Sequence, residues 1–253
     1  MNSFLLSIGI AIAAALIAAL VAPFFIDWGG YRDFFETRAS QLLGAPVKIE
    51  GDLSARLLPR PRITASEITI GDGGFHAKGL RVRLGLTPLL SGNLQVEHVR
   101  IAGAEMRIAS DGSGSISGLK RPEPQADADD FTLDSIEIAD GRLIISGDSG
   151  EQVFDGVNLK ASATNLDGPY KADGSLRHDG EVYDVSFASG RWADSGDLRA
   201  KFSITPRAQP VTFDADGMVR IDEGVPAFSG RVRLERIADA NAPGSRWLFR
   251  GDT

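Results

Sequence analysis

No cysteine occurs among the 253 residues. That excludes disulfide scaffolds, thiol nucleophiles and thiolate zinc sites. Histidine is nearly as scarce: His76, His98 and His178 lie far apart, and none sits in an H-E-x-x-H spacing. There is no surplus of positive charge, the formal balance being -7. A nucleic-acid module would need clustered Lys and Arg to neutralise phosphates, so nucleic acid is excluded as a partner. No G-x-S-x-G elbow is present, because Gly114-Ser115-Ile116-Ser117-Gly118 places Ile where the nucleophile belongs. No Walker or dinucleotide glycine loop occurs either. These absences predict a protein that is not an enzyme, with no catalytic residue, no metal and no cofactor.

What the chain does have is unevenly spread apolar sequence. Phe4 to Ile26 is a 23-residue run without a charge, rich in Ala, Leu and Ile. As a helix it would reach roughly 34 Å, enough to cross a hydrocarbon core of about 30 Å. A cleaved signal peptide is the competing reading. Against it, Met1-Asn2-Ser3 carries no Lys or Arg, the run is too long, and Ala22 is followed by Pro23. Residues 1–26 are therefore expected to be a retained transmembrane anchor. Phe24, Phe25, Trp28 and Tyr31 are placed to bridge the membrane interface. The flanking charges (Asp27, Arg32, Asp33, Glu36, Arg38) do not decide which side holds the bulk.

Residues 27–44 read as a short amphipathic helix. Tyr31, Phe34, Phe35, Leu42 and Leu43 share one face of a 3.6-residue period, Gly44 caps the end and Pro46 forbids resumption. Such a helix could lie on the bilayer or cover one end of the next domain.

From residue 45 to 253 the period changes to two. Leu80, Val82, Leu84 and Leu86 alternate with Arg81, Arg83 and Gly85, Leu94 and Val96 flank Gln95, and Val157 and Leu159 alternate with Asn158 and Lys160. Alternation gives each strand one apolar and one polar side. Glycine-rich punctuation separates the runs: Gly71-Asp72-Gly73-Gly74, Asp140-Gly141, Asp173-Gly174, Asp179-Gly180 and Asp216-Gly217, each read as a hairpin turn. The segment predicts an antiparallel meander without helices, broken by a flexible acidic loop near 110–130 that holds Pro122, Pro124, Asp127, Asp129 and Asp130. Ser66 to Asp72 weakly repeats in Ser135 to Asp140, and Gly79 to Arg83 in Gly156 to Lys160. Periodicity alone favours an ordinary packed sandwich or barrel core for these strands.

Two smaller features carry alternatives. Thr212 to Glu223 can be read as a calcium loop using Asp214, Asp216 and Glu223, although a hairpin turn at Asp216-Gly217 is favoured. Arg56, Arg60 and Arg62 form a basic cluster, read either as a solvated strand edge or as attraction to anionic headgroups.

Several segments carry a resemblance: Gly44-Ala45-Pro46-Val47, Gly51-Asp52-Leu53-Ser54, Leu58-Pro59-Arg60-Pro61, Ile70-Gly71-Asp72, Pro88-Leu89-Leu90-Ser91-Gly92 leading into Val96 to Ile101, and Asp167-Gly168-Pro169-Tyr170-Lys171-Ala172. With the apolar run and helix before them, most of residues 1–220 resembles the N-terminal region of the AsmA family of bacterial envelope proteins. The resemblance implies a single-pass inner-membrane protein with its bulk in the periplasm. It also implies likeness to chorein-type, bridge-like lipid transfer proteins, in which a curved antiparallel β-sheet forms an open groove for phospholipid acyl chains. On that reading the chain is mostly β and supports phospholipid transport toward the outer membrane, outer-membrane biogenesis and homeostasis. The groove would be lined by Leu80, Val82, Leu84, Leu86, Leu94, Val96, Val157 and Leu159. Partners would be phospholipids, the inner membrane and other envelope proteins. Because members of the family are usually longer, the chain is expected to be an N-terminal portion of a longer protein. The alternative is an envelope scaffold that assists outer-membrane protein assembly through a strand edge without carrying lipid.

Overall fold

A computed structural model describes Val21 and residues 27–56, 58–71, 73–90, 95–109, 133–147, 150–163, 168–193, 195–222, 225–236 and 248–252. Most of the expected anchor, Phe24 and Phe25, Leu94 and the acidic segment near 110–130 lie outside the described residues. Among the described residues no helix is long and apolar enough to cross a membrane.

A 3-10 turn, Trp28–Tyr31, leads into helix α1, Arg32–Leu43, which ends at Gly44 with φ 66. That left-handed cap is the one expected from the sequence. Thirteen strands follow: β1 (Val47–Ile49), β2 (Leu53–Arg56), β3 (Arg62–Ile70), β4 (Phe75–Leu84), β5 (Val96–Ala109), β6 (Leu133–Gly147), β7 (Gly150–Ala163), β8 (Tyr170–His178), β9 (Glu181–Trp192), β10 (Asp197–Pro206), β11 (Val211–Asp222), β12 (Val225–Arg236) and β13 (Leu248–Asp252). A five-residue helix, α2 (Leu86–Leu90), joins β4 to β5.

All thirteen strands form one open, curved sheet ordered β1-β3-β4-β5 and onward to β13, with β2 also pairing with β3. Twelve strands on this path, at about 4.8 Å each, make a sheet some 53 Å long. Pairing is antiparallel with one exception that corrects the uniform meander: β5 and β6 are parallel. A parallel pair needs a crossover connection rather than the short turn that can join antiparallel neighbours. The two strands align like with like: Val99, Ile101 and Ala102 lie beside Ile136, Ile138 and Ala139.

Several Asp-Gly pairs expected at turns lie inside strands. Asp140-Gly141 is within β6, Asp173-Gly174 within β8 and Asp216-Gly217 within β11. Asp179-Gly180 does form the β8–β9 turn. The internal positions bend the sheet. Positive φ occurs at Glu67 (49), Gly103 (58), Asp140 (52) and Gly156 (56), and the pairing is interrupted at each. These irregularities sit between Ser66 and Ile68, Ala102 and Ala104, Ile138 and Gly141, and Asp155 and Asn158. Asp140 and Gly156 stand at register shifts, and such bulges bend and crease a sheet, whereas the register continues unshifted past Glu67 and Gly103. Glu67 of β3 and Asp140 of β6 share the same positive-φ backbone.

Helix α1 closes one edge. Ser40 Oγ accepts from the Val47 N–H at 2.8 Å, Glu36 Oε1 accepts from the Ile49 N–H at 2.7 Å, and Arg32 donates to the Gly51 carbonyl at 2.9 Å. Polar side chains thus satisfy a strand edge that would otherwise invite pairing with another chain. This sets only part of the apolar face of the helix against the sheet. Of the five residues predicted to share its buried face, Phe35 packs inward with Ala39, while Tyr31 (53%), Phe34 (66%) and Leu43 (58%) are exposed. The core here consists of Val47, Ile49, Ala65 and Ile68, with Leu53, Ile70 and Leu80 packed against it.

Candidate functional site: an uncovered apolar face

Cross-strand register sorts the side chains into rows, because directly opposite residues share a face. One row runs Ala55, Ile63, Val82, Val99, Ile136, Ala161, Ala172, Phe187, Phe202, Ala215 and Val232. A second on the same face runs Leu53, Ala65, Leu80, Ile101, Ile138, Leu159, Gly174, Val185, Ile204, Phe213 and Leu234. Neither row contains a polar side chain from β2 to β12. The intervening row on the opposite face reads Ser54, Thr64, Arg81, Arg100, Glu137, Lys160, Asp173, Ser186, Ser203, Asp214 and Arg233. The alternation visible in single strands is thus kept in phase along the whole sheet, despite the crease and the parallel pair.

The apolar face is not sealed. A sandwich core would bury such rows from both sides. Here no large side chain is fully buried among the described residues, and most members of both rows are half-buried. Met106 (46%), Phe213 (37%) and Phe228 (38%) are exposed. Among the described residues the one clustered core is the patch beneath α1. Small residues lie opposite one another at two places: Ala77 and Ala104 in β4 and β5, and Ala200, Gly217 and Gly230 in β10 to β12.

Of the predicted groove residues, Leu80, Val82, Val157 and Leu159 lie on this face, and Leu84 and Val96 pair with each other at its end. Leu86 does not. It begins α2 and is 40% exposed, because the chain leaves the sheet after Leu84. Trp28 and Tyr31 stack obliquely in the 3-10 turn, with ring centroids 6.0 Å apart. Reading single strands missed β8 to β12, whose Val185, Phe187, Phe202, Ile204 and Phe213 supply the bulkiest part of the rows. Their alternation was visible, but the register that aligns them was not.

The outer face is held by cross-strand ion pairs: Arg142 to Asp155 at 2.7 Å, Arg207 to Asp184 at 2.7 Å, Arg220 to Asp197 at 2.8 Å and Arg199 to Asp216 at 3.3 Å. The guanidiniums of Arg207 and Arg220 hold the Asp184 and Asp197 carboxyls below the usual range by hydrogen bonding. Asp214 and Asp216 belong to this ladder. They lie in a regular strand opposite Arg233 and Arg231, which corrects both the calcium-loop and the hairpin-turn readings, and Glu223 lies outside the described residues. Among the described residues no cluster of three or more metal-ligating side chains occurs. The histidines serve the sheet locally: His76 meets Glu67 at 3.0 Å, His98 meets Glu137 at 3.7 Å, and His178 stacks on Phe154 at 4.5 Å.

Comparison with curated proteins and with solved structures finds no significant match. The AsmA family model, in contrast, matches residues 2–206, the span from the apolar run through β10. The chain belongs to the AsmA family.

Proposed function

We propose that this protein guides phospholipid acyl chains along its uncovered apolar face, serving lipid supply to the outer membrane from an anchor at residues 1–26 in the inner membrane, with its bulk in the periplasm. The observation that carries the reading is the pair of unbroken apolar rows running along the sheet from β2 to β12, with no covering layer among the described residues. An acyl chain lying along them stays out of water, avoiding a cost of about 0.8 kcal/mol per CH2. Sliding from one strand to the next exchanges like contacts for like, so no catalytic group is needed. Membership of the AsmA family supports the envelope setting.

A scaffold for outer-membrane protein assembly is the second reading. It is favoured by β13, which pairs only with β12 among the described strands and so presents a strand edge.

Photo-crosslinkers placed at Met106 and Phe213, with Arg199 on the outer face as the control, separate the two. A conduit gives lipid adducts at both inner positions and none at the control. Polypeptide adducts at the inner positions, with no lipid identified by mass spectrometry, would replace it with the scaffold. Because Met106 and Phe213 are exposed, Met106→Glu with Phe213→Glu is expected to strip co-purifying lipid while leaving the melting transition nearly unchanged.

A further inference from the structure

From β6 to β12 the outer face follows a simple rule: cations sit opposite carboxylates. Lys160 lies between Glu137 and Asp173, and Asp216 lies between Lys201 and Arg231. Where Arg233 meets Arg250 by register, Asp214 lies on its other side. At β2 to β5 the rule is broken. Arg56 is opposite Arg62, Arg62 is opposite Arg83, Arg83 is opposite His98, and Arg81 is opposite Arg100. Arg62, Arg81 and Arg83 are exposed and make no ion pair among the described residues, whereas Arg100 reaches Glu137 at 3.8 Å. Like charges directly opposite one another destabilise a sheet. A protein of net charge -7 has nonetheless gathered them in one place.

The place is informative. The helix contacts run in order along the first strands: Ser40 at Val47, Glu36 at Ile49 and Arg32 at Gly51. Continuing backward, the 3-10 turn Trp28–Tyr31 lies against β2, the strand that ends in Arg56. The 3-10 turn, which follows the uncharged run 4–26 in sequence, therefore sits beside the strand whose last residue is Arg56, itself in register with Arg62 and Arg83. Exposed Tyr31 belongs to that turn, and exposed Leu86 of α2 follows β4 just beyond Arg83. Exposed aromatic and aliphatic side chains beside clustered Arg are the composition of a surface that sits in the headgroup region.

The geometry points to a second membrane contact beyond the anchor: the arginine ladder of β2 to β5 docks this end of the sheet onto anionic phospholipid headgroups of the bilayer. Charge complementarity identifies the partner, and the turn that follows the apolar run brings it within reach. The inference rests on the anchorage part of the proposed function and not on lipid movement along the apolar face. Docking would fix the tilt of the sheet and hold one end of the apolar face against the bilayer.

The lack of cysteine makes the test clean. Ser54→Cys, on the outer face beside the ladder, and Ser146→Cys, toward the other end of β6, each carry one fluorophore on the full chain. The chain is reconstituted in nanodiscs of phosphatidylcholine alone or of phosphatidylcholine and phosphatidylglycerol at three to one, with a headgroup nitroxide quencher. Quenching at position 54 is expected to rise with phosphatidylglycerol and to fall with added salt, while position 146 stays unquenched. Each neutralised arginine should weaken docking roughly fivefold, so Arg62→Gln with Arg83→Gln returns the signal to the phosphatidylcholine level. That variant relieves repulsion, and its melting transition should be unchanged or higher. Equal quenching in both lipids, or no response to the double variant, would overturn the inference. Release by millimolar inorganic phosphate without added salt would assign the ladder to free anions and overturn it too. Co-elution of chain and disc reports the anchor separately; if it fails, the same labels read on vesicles of the same composition still decide the docking.

Discussion

Gly217 lies directly opposite Gly230 across β11 and β12, and a Cβ on Gly217 would come within 2.7 Å of the Gly230 Cα. The same added atom would meet the Phe228 ring at 2.9 Å, as would one on Gly230. The glycine pair thus leaves the backbones room to approach and gives the ring a flat seat on the apolar face. Gly217→Ala should cost about 1–3 kcal/mol, the range for overpacking a tight site. Gly30→Ala, where the new Cβ meets nothing within 4 Å, should stay within about 0.5 kcal/mol. Urea unfolding of the two variants checks the contrast, and equal midpoints would contradict it.

Asn158 joins two of the bulges that crease the sheet. Its amide oxygen accepts from the Asp140 N–H at 3.1 Å, and its amide nitrogen donates to the Gly156 carbonyl at 2.8 Å. Asp140 and Gly156 both have positive φ, so the side chain ties together the two strained backbones of β6 and β7. Asn158→Ala removes both hydrogen bonds and should cost about 1–2 kcal/mol, with water recovering part of each. Asn158→Asp keeps the acceptor for Asp140 but sets a carboxylate against a carbonyl, so it should fall between. Faster hydrogen exchange at the Asp140 amide would show the loss locally, and unchanged exchange would mean the bulges hold without it.

Face and class were legible in the strand pattern, and the open curved sheet through the family resemblance, whereas register and strand connection were not. Alternation in Leu80-Arg81-Val82-Arg83 and in Val157-Asn158-Leu159-Lys160 assigned each side chain correctly to an apolar or a polar face. That follows from the two-residue period, which is local. Which end of a strand Asp-Gly marks is not local. Asp179-Gly180 turns the chain, but Asp216-Gly217 lies mid-strand because its neighbour Gly230, thirteen residues on, needs the space. The seating of the helix is not local either. Its apolar stripe at Tyr31 and Phe34 suggested a buried face, yet Glu36 and Ser40 were drawn inward by the unpaired N–H groups of β1. Parallel pairing of β5 with β6 depends on a contact between segments separated by 23 residues. No periodicity within either strand encodes it.

The outer ion pairs make stability depend on acid. Arg207 donates to both Asp184 oxygens, from Nε at 3.1 and 3.0 Å and from a terminal nitrogen at 2.7 Å. Asp197 accepts from Arg220 Nε and from Ser195 Oγ, each at 2.8 Å. These hydrogen bonds lower both carboxyls in the folded state. A carboxyl lowered on folding stabilises the protein above its unfolded value, about 3.9, and that contribution disappears as pH falls through the folded value. Both pairs are solvent-exposed, so the effect is modest and screened by salt. Tyr183 has the opposite sign. Its hydroxyl donates to Glu181 at 3.1 Å, which raises it on folding, so its contribution is present below about 10 and is lost as pH rises further. Asp184→Asn with Asp197→Asn should therefore flatten the fall of Tm between about pH 5 and 3, while leaving the alkaline limb as it is. Melting curves at low salt across both limbs provide the measurement. An acid limb identical to that of the unaltered chain would show that the ladder holds the sheet by geometry alone.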